Sequence, residues 1–281
     1  MKKAIFTLAI GDNPMYKAAL NSFQIYADRV GADLIVSEEL HYKIDISKPK
    51  YDANPAWSEK LYIGELLKKY DRVLYLDADF IITPSARDIF EVYPDQDTVY
   101  MFNEGLYRDR TPVINEICRQ LEPVEDWPQR DGKLTYFNMG MLLVSKPSPL
   151  FNLMKLSELQ SLCNSIKFYE QTYTNYIIQK HKIKYVEADP YFNRMDLLGI
   201  TDYQKADFIH YAGRGFSPKS RQREIKYIAD YCRIFANIVD SKELESLKYS
   251  VWSLYLTKLK KKYKLPKPLL NWYFSKFSSK P

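Results

Sequence analysis

Three cysteines, three histidines and nine glycines are few for a chain of 281 residues. Cys118, Cys163 and Cys232 are odd in number, widely spaced and form no Cys-x-x-Cys. That argues against a disulfide framework or a thiolate zinc site and fits a reducing compartment. No apolar run approaches the roughly 20 residues that a spanning helix needs. The N-terminal "MKKAIFTLAIGDN" starts basic, but its apolar run is short and reaches Asp12 without a small-residue cleavage site. It reads as a first core strand, and the expectation is a protein facing the cytosol. Internal repeats, low-complexity blocks and a Ser-His-Asp or Cys-His arrangement are also missing.

What is present is a core-forming composition. The chain is 46% hydrophobic, with 24 tyrosines, enough for one large α/β domain or two small ones. Strands are expected at 3–10, 32–37, 72–76, 98–103, 137–145, 182–187 and 207–212. Helices are expected at 13–30, 54–70, 150–164 and 168–181, and from Pro218 to about Tyr263, with "LPKP" (265–268) as the break. Alternating strands and helices predict an open, mainly parallel sheet flanked by helices. Residues 104–136 read as an irregular excursion from that sheet.

"RVLYLDADFII" (72–82) sets Asp77 and Asp79 inside an otherwise oily run. Ligands of open α/β sheets bind at the carboxyl ends of the strands, which is where the pair falls. Two apart in an extended chain, the side chains point the same way, and paired carboxylates suit Mg²⁺ or Mn²⁺. Taken alone, the pair is equally readable as turn acids after a strand.

Its neighbours carry more. "WSEKLYIGELLKKYDRVLYLDADFIITPS" (57–85) is followed by "FNMGMLLVS" (137–145), "EQTYTNYII" (170–178), "DPYFN" (189–193) and "HYAGRGFSPK" (210–219). In this order, over residues 3 to 220, the chain resembles the family 8 glycosyltransferases, which include glycogenin and bacterial lipopolysaccharide galactosyltransferases. The resemblance implies a GT-A, Rossmann-like nucleotide-sugar-binding fold. It also implies a UDP-sugar donor and a Mn²⁺ (or Mg²⁺) ion held by Asp77, Asp79 and His210. Lys60 would contact the donor, Tyr16 would lie near the base, and Gly213, Arg214 and Lys219 near the diphosphate. Asn138 would sit under the sugar, with Glu170 and Gln171 near the reacting carbon and Asn193 on the acceptor side. The chain departs from the family in two places: Glu170-Gln171 replaces Asp-Gln, and "SPKSR" replaces the usual Lys-Pro-Trp. Arg108, Asp109, Arg110 and Trp127 are candidates to shape the acceptor side. His41 and His181 lie in no motif and read as surface residues.

The expected activity is transfer of a hexose or pentose to a hydroxyl of a glycan or lipid-linked saccharide, with retention. Two alternatives are a non-catalytic sugar-nucleotide- or membrane-binding protein of the same fold and an Asp-x-Asp phosphohydrolase. The dehalogenase-type phosphatase motif, however, needs Thr or Val two after the second Asp, where this chain has Ile81.

The net charge of +6 belongs to the C-terminus. Nine lysines and no acid lie between Lys248 and Pro281, leaving 32 basic against 35 acidic residues elsewhere. Trp252, Tyr255, Leu256, Leu259 and Tyr263 share a helical face ringed by lysines, so residues 246–281 are expected as a basic helical tail on the domain 1–245. Such a helix either lies on an anionic membrane, peripheral on its inner face, or packs its aromatics on the domain. Nucleic acid is not an expected partner, since no nucleic-acid module accompanies the tail.

Overall fold

The computed structural model describes residues 1–47, 53–219, 222–264 and 266–277; Leu265, the first residue of the predicted break, lies outside them. The chain opens with β1 (Lys3–Leu8), α1 (Pro14–Val30) and β2 (Ala32–Ser37). Asn54 then caps the N–H of Ala56, and Pro55 starts a 3-10 helix, Pro55–Tyr62, that passes into one α turn, α2 (Ile63–Leu66). The α-helix expected over 54–70 is therefore corrected. Ser58, Glu59, Lys60 and Leu61 are buried in succession, leaving no exposed face for a two-faced repeat.

β3 (Arg72–Leu76), β4 (Phe80–Ile82), α3 (Ile89–Val92) and β5 (Val99–Asn103) follow. The excursion 104–136 is more regular than expected. It holds α4 (Thr111–Gln120) and a hairpin of β6 (Gln129–Arg130) and β7 (Lys133–Leu134). Asp131 and Gly132 turn this hairpin at φ of 53° and 72°, the positive-φ pair that an Asp-Gly turn supplies. After β8 (Phe137–Ser145) the helix expected at 150–164 is two, α5 (Leu150–Leu153) and α6 (Leu156–Leu162). The break falls where Met154 and Lys155 adopt extended backbone. Then come α7 (Tyr169–Lys180), β9 (Tyr185–Glu187), β10 (Phe208–His210), α8 (Arg223–Ile234), α9 (Ser241–Tyr263) and α10 (Lys267–Phe277). Asp240 caps α9 through the N–H groups of Lys242 and Glu243, separating it from α8 where one long helix had been expected.

The chain divides into two compact units. The first comprises Met1–Gly11, Ala27–Asp77 and Arg87–Asn193 and contains a six-stranded sheet in the order β2-β1-β3-β8-β5-β9. The sheet is mostly parallel; β8 alone runs antiparallel to its neighbours, β3 and β5. β3 has partners on both sides and is buried at every residue, which is why it reads as a continuous apolar run. Arg72 opens that strand fully buried, its Nε donating to Ser145 Oγ at 2.9 Å and its Nη1 to the Phe90 carbonyl at 3.0 Å.

The second unit comprises Asp12–Tyr26, Ala78–Ala86 and the chain from Arg194 on. Its strands β4 and β10 pair antiparallel, His210 opposite Phe80. Tyr227 of α8 donates to the Phe80 carbonyl at 2.7 Å, and Tyr26 meets Phe208 edge-on at 5.3 Å. α9 runs unbroken through 245–246, where the tail was expected to begin. It buries Leu244, Leu247, Val251 and Tyr255. The aromatic face read from the sequence is partly covered: Tyr255 is buried and Trp252 packs on Tyr273 at 6.2 Å. No described helix is long and apolar enough to cross a membrane.

Gly105, the second residue after β5, is a packing constraint. A Cβ there would lie 2.3 Å from the Leu134 carbonyl and 2.8 Å from the Tyr136 nitrogen, both backbone atoms that no rotamer change can move. Gly105→Ala is expected to destabilise the protein by about 3 kcal/mol, the upper end for overpacking, as read from urea unfolding midpoints.

Candidate active site

Two clusters of polar side chains lie at strand ends, one in each unit. In the first, the 3-10 helix brings Lys60 into the core beneath β3. Its Nζ lies 2.7 Å from Glu170 Oε1 and 3.4 Å from Asp77 Oδ1, and donates to the Met139 carbonyl at 3.2 Å. Glu170 stands in the first turn of α7, where the helix dipole favours a carboxylate. Asp77 directly follows β3; its N–H still bonds the Gly140 carbonyl at 2.9 Å, and Tyr75 Oη donates to its Oδ1 at 2.5 Å.

One ammonium therefore serves two carboxylates. Burial alone would pull the Lys60 ammonium down, but Asp77 and Glu170 outweigh it and hold its pKa above the ordinary lysine value. Glu170 is pushed up, first by burial and then by Asp77, with Lys60 opposing.

Beside this trio lies an amide network. Asn138, in β8, donates from Nδ2 to Glu104 Oε2 at 3.0 Å, and its Oδ1 accepts from Gly140 N at 2.9 Å and Asn193 Nδ2 at 3.1 Å. Gln171 accepts the Met139 N–H at 3.0 Å and donates from Nε2 to Glu104 Oε1 at 3.2 Å. Glu104 is in turn paired with Arg110 at 2.6 Å. The expected residues Asn138, Gln171 and Asn193 thus meet, and Glu104 and Arg110 join them.

The sequence reading missed Glu104, although it carries the signal that singled out Asp77: an acid immediately after a buried strand. Arg110 was an acceptor-side candidate, and its role here is to pair with Glu104. Trp127, another such candidate, is instead a core residue donating to the Thr135 carbonyl at 2.7 Å. Asp109 is exposed and caps the N–H of Thr111 at 2.9 Å.

In the second unit Asp79 directly precedes β4. His210 Nε2, at the end of β10, lies 3.2 Å from Asp79 Oδ1, and Arg223 Nη1 lies 3.2 Å from Asp79 Oδ2. The imidazole lies flat against the Phe80 ring, centroids 4.1 Å apart and planes at 16°. Its backbone N–H bonds the Arg194 carbonyl. Tyr16 is half-buried on α1, while Gly213, Arg214 and Lys219 lie exposed on the loop after β10. Among the described residues no hydrogen bond or ion pair joins Gly213, Arg214 or Lys219 to Asp79 or His210. Arg223 is the cation that sequence reading missed, because its placement beside Asp79 bridges 144 positions.

The sequence profile of glycosyl transferase family 8 matches residues 36–218, well over half the chain. No curated protein matches it significantly. Among solved structures it is similar to a glycosyltransferase involved in glycosylation of the major capsid of PBCV-1, at 16% identity and a TM-score of 0.50, over 80% of this chain and all of that one. It is similar to the galactosyltransferase LgtC, solved with donor and acceptor sugar analogs, at 14% identity and a TM-score of 0.50, over 85% and 98% of the two chains. The bifunctional glycosyltransferase WbbM matches at 14% identity and a TM-score of 0.52, over 88% of this chain but 51% of its own. At these identities the likeness is one of fold, and the fold is GT-A.

Lys60→Met would leave the buried Glu170 and the part-exposed Asp77 without their cation. The expected loss is about 3–5 kcal/mol near neutral pH, typical of breaking a buried ion pair. Without the ammonium the Glu170 carboxyl rises further, so the folded variant holds a proton that the unfolded chain has released. Its stability should fall as pH rises from about 5 to 8. Wild type keeps the Lys60 contribution until pH passes the raised lysine value. Urea unfolding at pH 5 and pH 8 should therefore give a smaller deficit at pH 5.

Proposed function

Because the chain belongs to glycosyl transferase family 8, we propose that it moves a hexose or pentose from a UDP-sugar to a hydroxyl of a glycan or lipid-linked saccharide, with retention at the anomeric carbon. The observation that carries this reading is the meeting of Asp79 and His210 at 3.2 Å, with Asp77 two residues before Asp79 in the chain. Together these three make a group that could hold a metal ion. The donor set fits: two carboxylates and one imidazole nitrogen suit Mn²⁺, or Mg²⁺ with less use of the nitrogen. When bound, the divalent ion would withdraw charge from the departing diphosphate.

The remaining roles belong to the chain's own side chains. Lys60, held at its distance by Glu170, would place a fixed positive charge near the donor. Asn138 and Gln171 have their amide orientations set by Glu104 and by the backbone of residues 139 and 140. They would orient the sugar and stabilise charge growing at its anomeric carbon. Glu170 is longer than the family's usual Asp by one methylene and, paired with Lys60, would act as a positioning residue. Gly213, Arg214 and Lys219 would line the outer side of the diphosphate, and Tyr16 the base. In the reaction, the bond from the anomeric carbon to the β-phosphate oxygen breaks and one to the acceptor oxygen forms. The acceptor's proton passes to the departing diphosphate.

Incubation with a panel of nucleotide sugars should release UDP in a Mn²⁺-dependent manner that EDTA abolishes. Asp79→Asn and His210→Ala should each lower turnover by about a hundredfold or more. Absence of metal-dependent turnover across the panel would defeat the proposal in favour of a binding role.

A peripheral membrane role for the C-terminal helices rests on Lys260, Lys261, Lys262 and Lys264, all exposed, and on the exposed rings of Tyr263 and Trp272. Replacing the four lysines with Gln leaves the buried face of α9 untouched. At about 1 kcal/mol per lysine, co-sedimentation with phosphatidylserine vesicles should fall by about two orders of magnitude or more. Unchanged sedimentation would remove the membrane from this reading.

A further inference from the structure

Arg223 occupies a position that helix energetics do not favour. It is the first residue of α8, where the macrodipole disfavours a cation, and Gln222 before it supplies no side-chain cap. Its side chain does not turn out to solvent to relieve this. It is only 27% exposed, reaches Asp79 Oδ2 at 3.2 Å and approaches the Tyr211 carbonyl at 3.5 Å.

The backbone makes room for that course. Gly215 sits at φ +57°, and a Cβ there would lie 2.8 Å from Arg223 Cγ and 2.9 Å from Tyr211 Cβ. A side chain at 215 would thus collide with the stem of Arg223 as well as strain the turn. Both polar contacts of the guanidinium run through Nη1. The fork keeps donors on Nη2 and Nε for a second oxyanion.

An Asp79 carboxylate already neutralised by an arginine is a poor ligand for a free divalent ion, since ion and guanidinium compete for the same charge. A nucleoside diphosphate resolves the competition, because it offers the guanidinium phosphate oxygens of matching, bidentate geometry.

We propose that Arg223 is the main diphosphate-binding cation of this chain and doubles as the resting counter-ion of Asp79. It neutralises the carboxylate while the donor is absent and passes to the diphosphate when a divalent ion takes Asp79. The inference rests on the glycosyltransferase reading above. It differs from the expectation for Arg214 and Lys219, which are exposed and have no described tie to Asp79.

The two halves of this role predict opposite effects of one substitution. In Arg223→Gln, UDP binding measured calorimetrically with Mn²⁺ present should weaken by about 10- to 100-fold, the worth of a hydrogen bond to a charged group. Binding of Mn²⁺ alone, followed by loss of the free-ion electron paramagnetic resonance signal, should tighten by up to about fivefold as a partly exposed ion pair is removed. Lys219→Gln and Arg214→Gln, on the exposed outer side of the diphosphate, should each weaken UDP binding less than Arg223→Gln does. Arg223→Lys keeps the charge but not the fork, so it should weaken UDP binding while leaving Mn²⁺ affinity near wild type. It carries the test should the Gln variant not fold.

UDP affinity unchanged in both Arg223 variants would overturn the proposal. So would a parallel weakening of UDP and Mn²⁺, which would mark Arg223 as a strut for Asp79. A wild-type chain that binds no UDP at any Mn²⁺ concentration would instead remove the underlying functional reading, a result distinct from either.

Discussion

The buried ammonium of Lys60 is the interaction on which the first polar cluster depends. It reaches Glu170 on α7, Asp77 at the end of β3 and the Met139 carbonyl in β8. Three elements far apart in sequence therefore share one positive charge. Two carboxylates so close would otherwise repel and force one to keep a proton. The arrangement also accounts for the buried Ser-Glu-Lys-Leu stretch that turned an expected α-helix into a 3-10 helix. Where the local repeat and the placement of a buried charge conflict, the charge decides.

A second constraint is the satisfaction of buried amides. Asn138 and Gln171 each have two faces to fill, and Glu104 accepts from both while backbone groups at 139 and 140 meet their carbonyls. Side chains so saturated hold one orientation, which is what a site acting on a small sugar requires. Arg110 pairs with Glu104, and Gly105 lets the chain turn just behind it. The acidic pair obeys the same economy of backbone bonding. Asp77 ends one ladder and Asp79 precedes another, so both side chains stand where the pleat no longer encloses them.

Much of this was legible in the sequence. The buried strand at 72–76 declares itself as an apolar run, the acids after it as a break in that run, and β8 as another unbroken stretch. These signals are local, set by side-chain period and turn chemistry. The motif order led to the family and to Lys60, Asp77, Asp79, Asn138, Gln171 and His210. The Asp-Gly turn at 131–132 is equally readable, though it lies within a segment whose composition reads as irregular. The split of 150–164 had no such signal, because Met154 and Lys155 are compatible with a helix and leave it for tertiary reasons.

By itself, then, the sequence determined which segments form the sheet, where its rim carries acid, and that the C-terminus is basic, because each of these is written in neighbouring residues. Only the tertiary structure decided which charges meet. That Glu170 rather than solvent holds Lys60, that Glu104 orients two amides, and that Arg223 instead of Lys219 faces Asp79 are pairings across 34 to 144 positions. No local period encodes such distances. They follow from chain topology and from the need to satisfy every buried charge, a condition met only once the whole chain is folded.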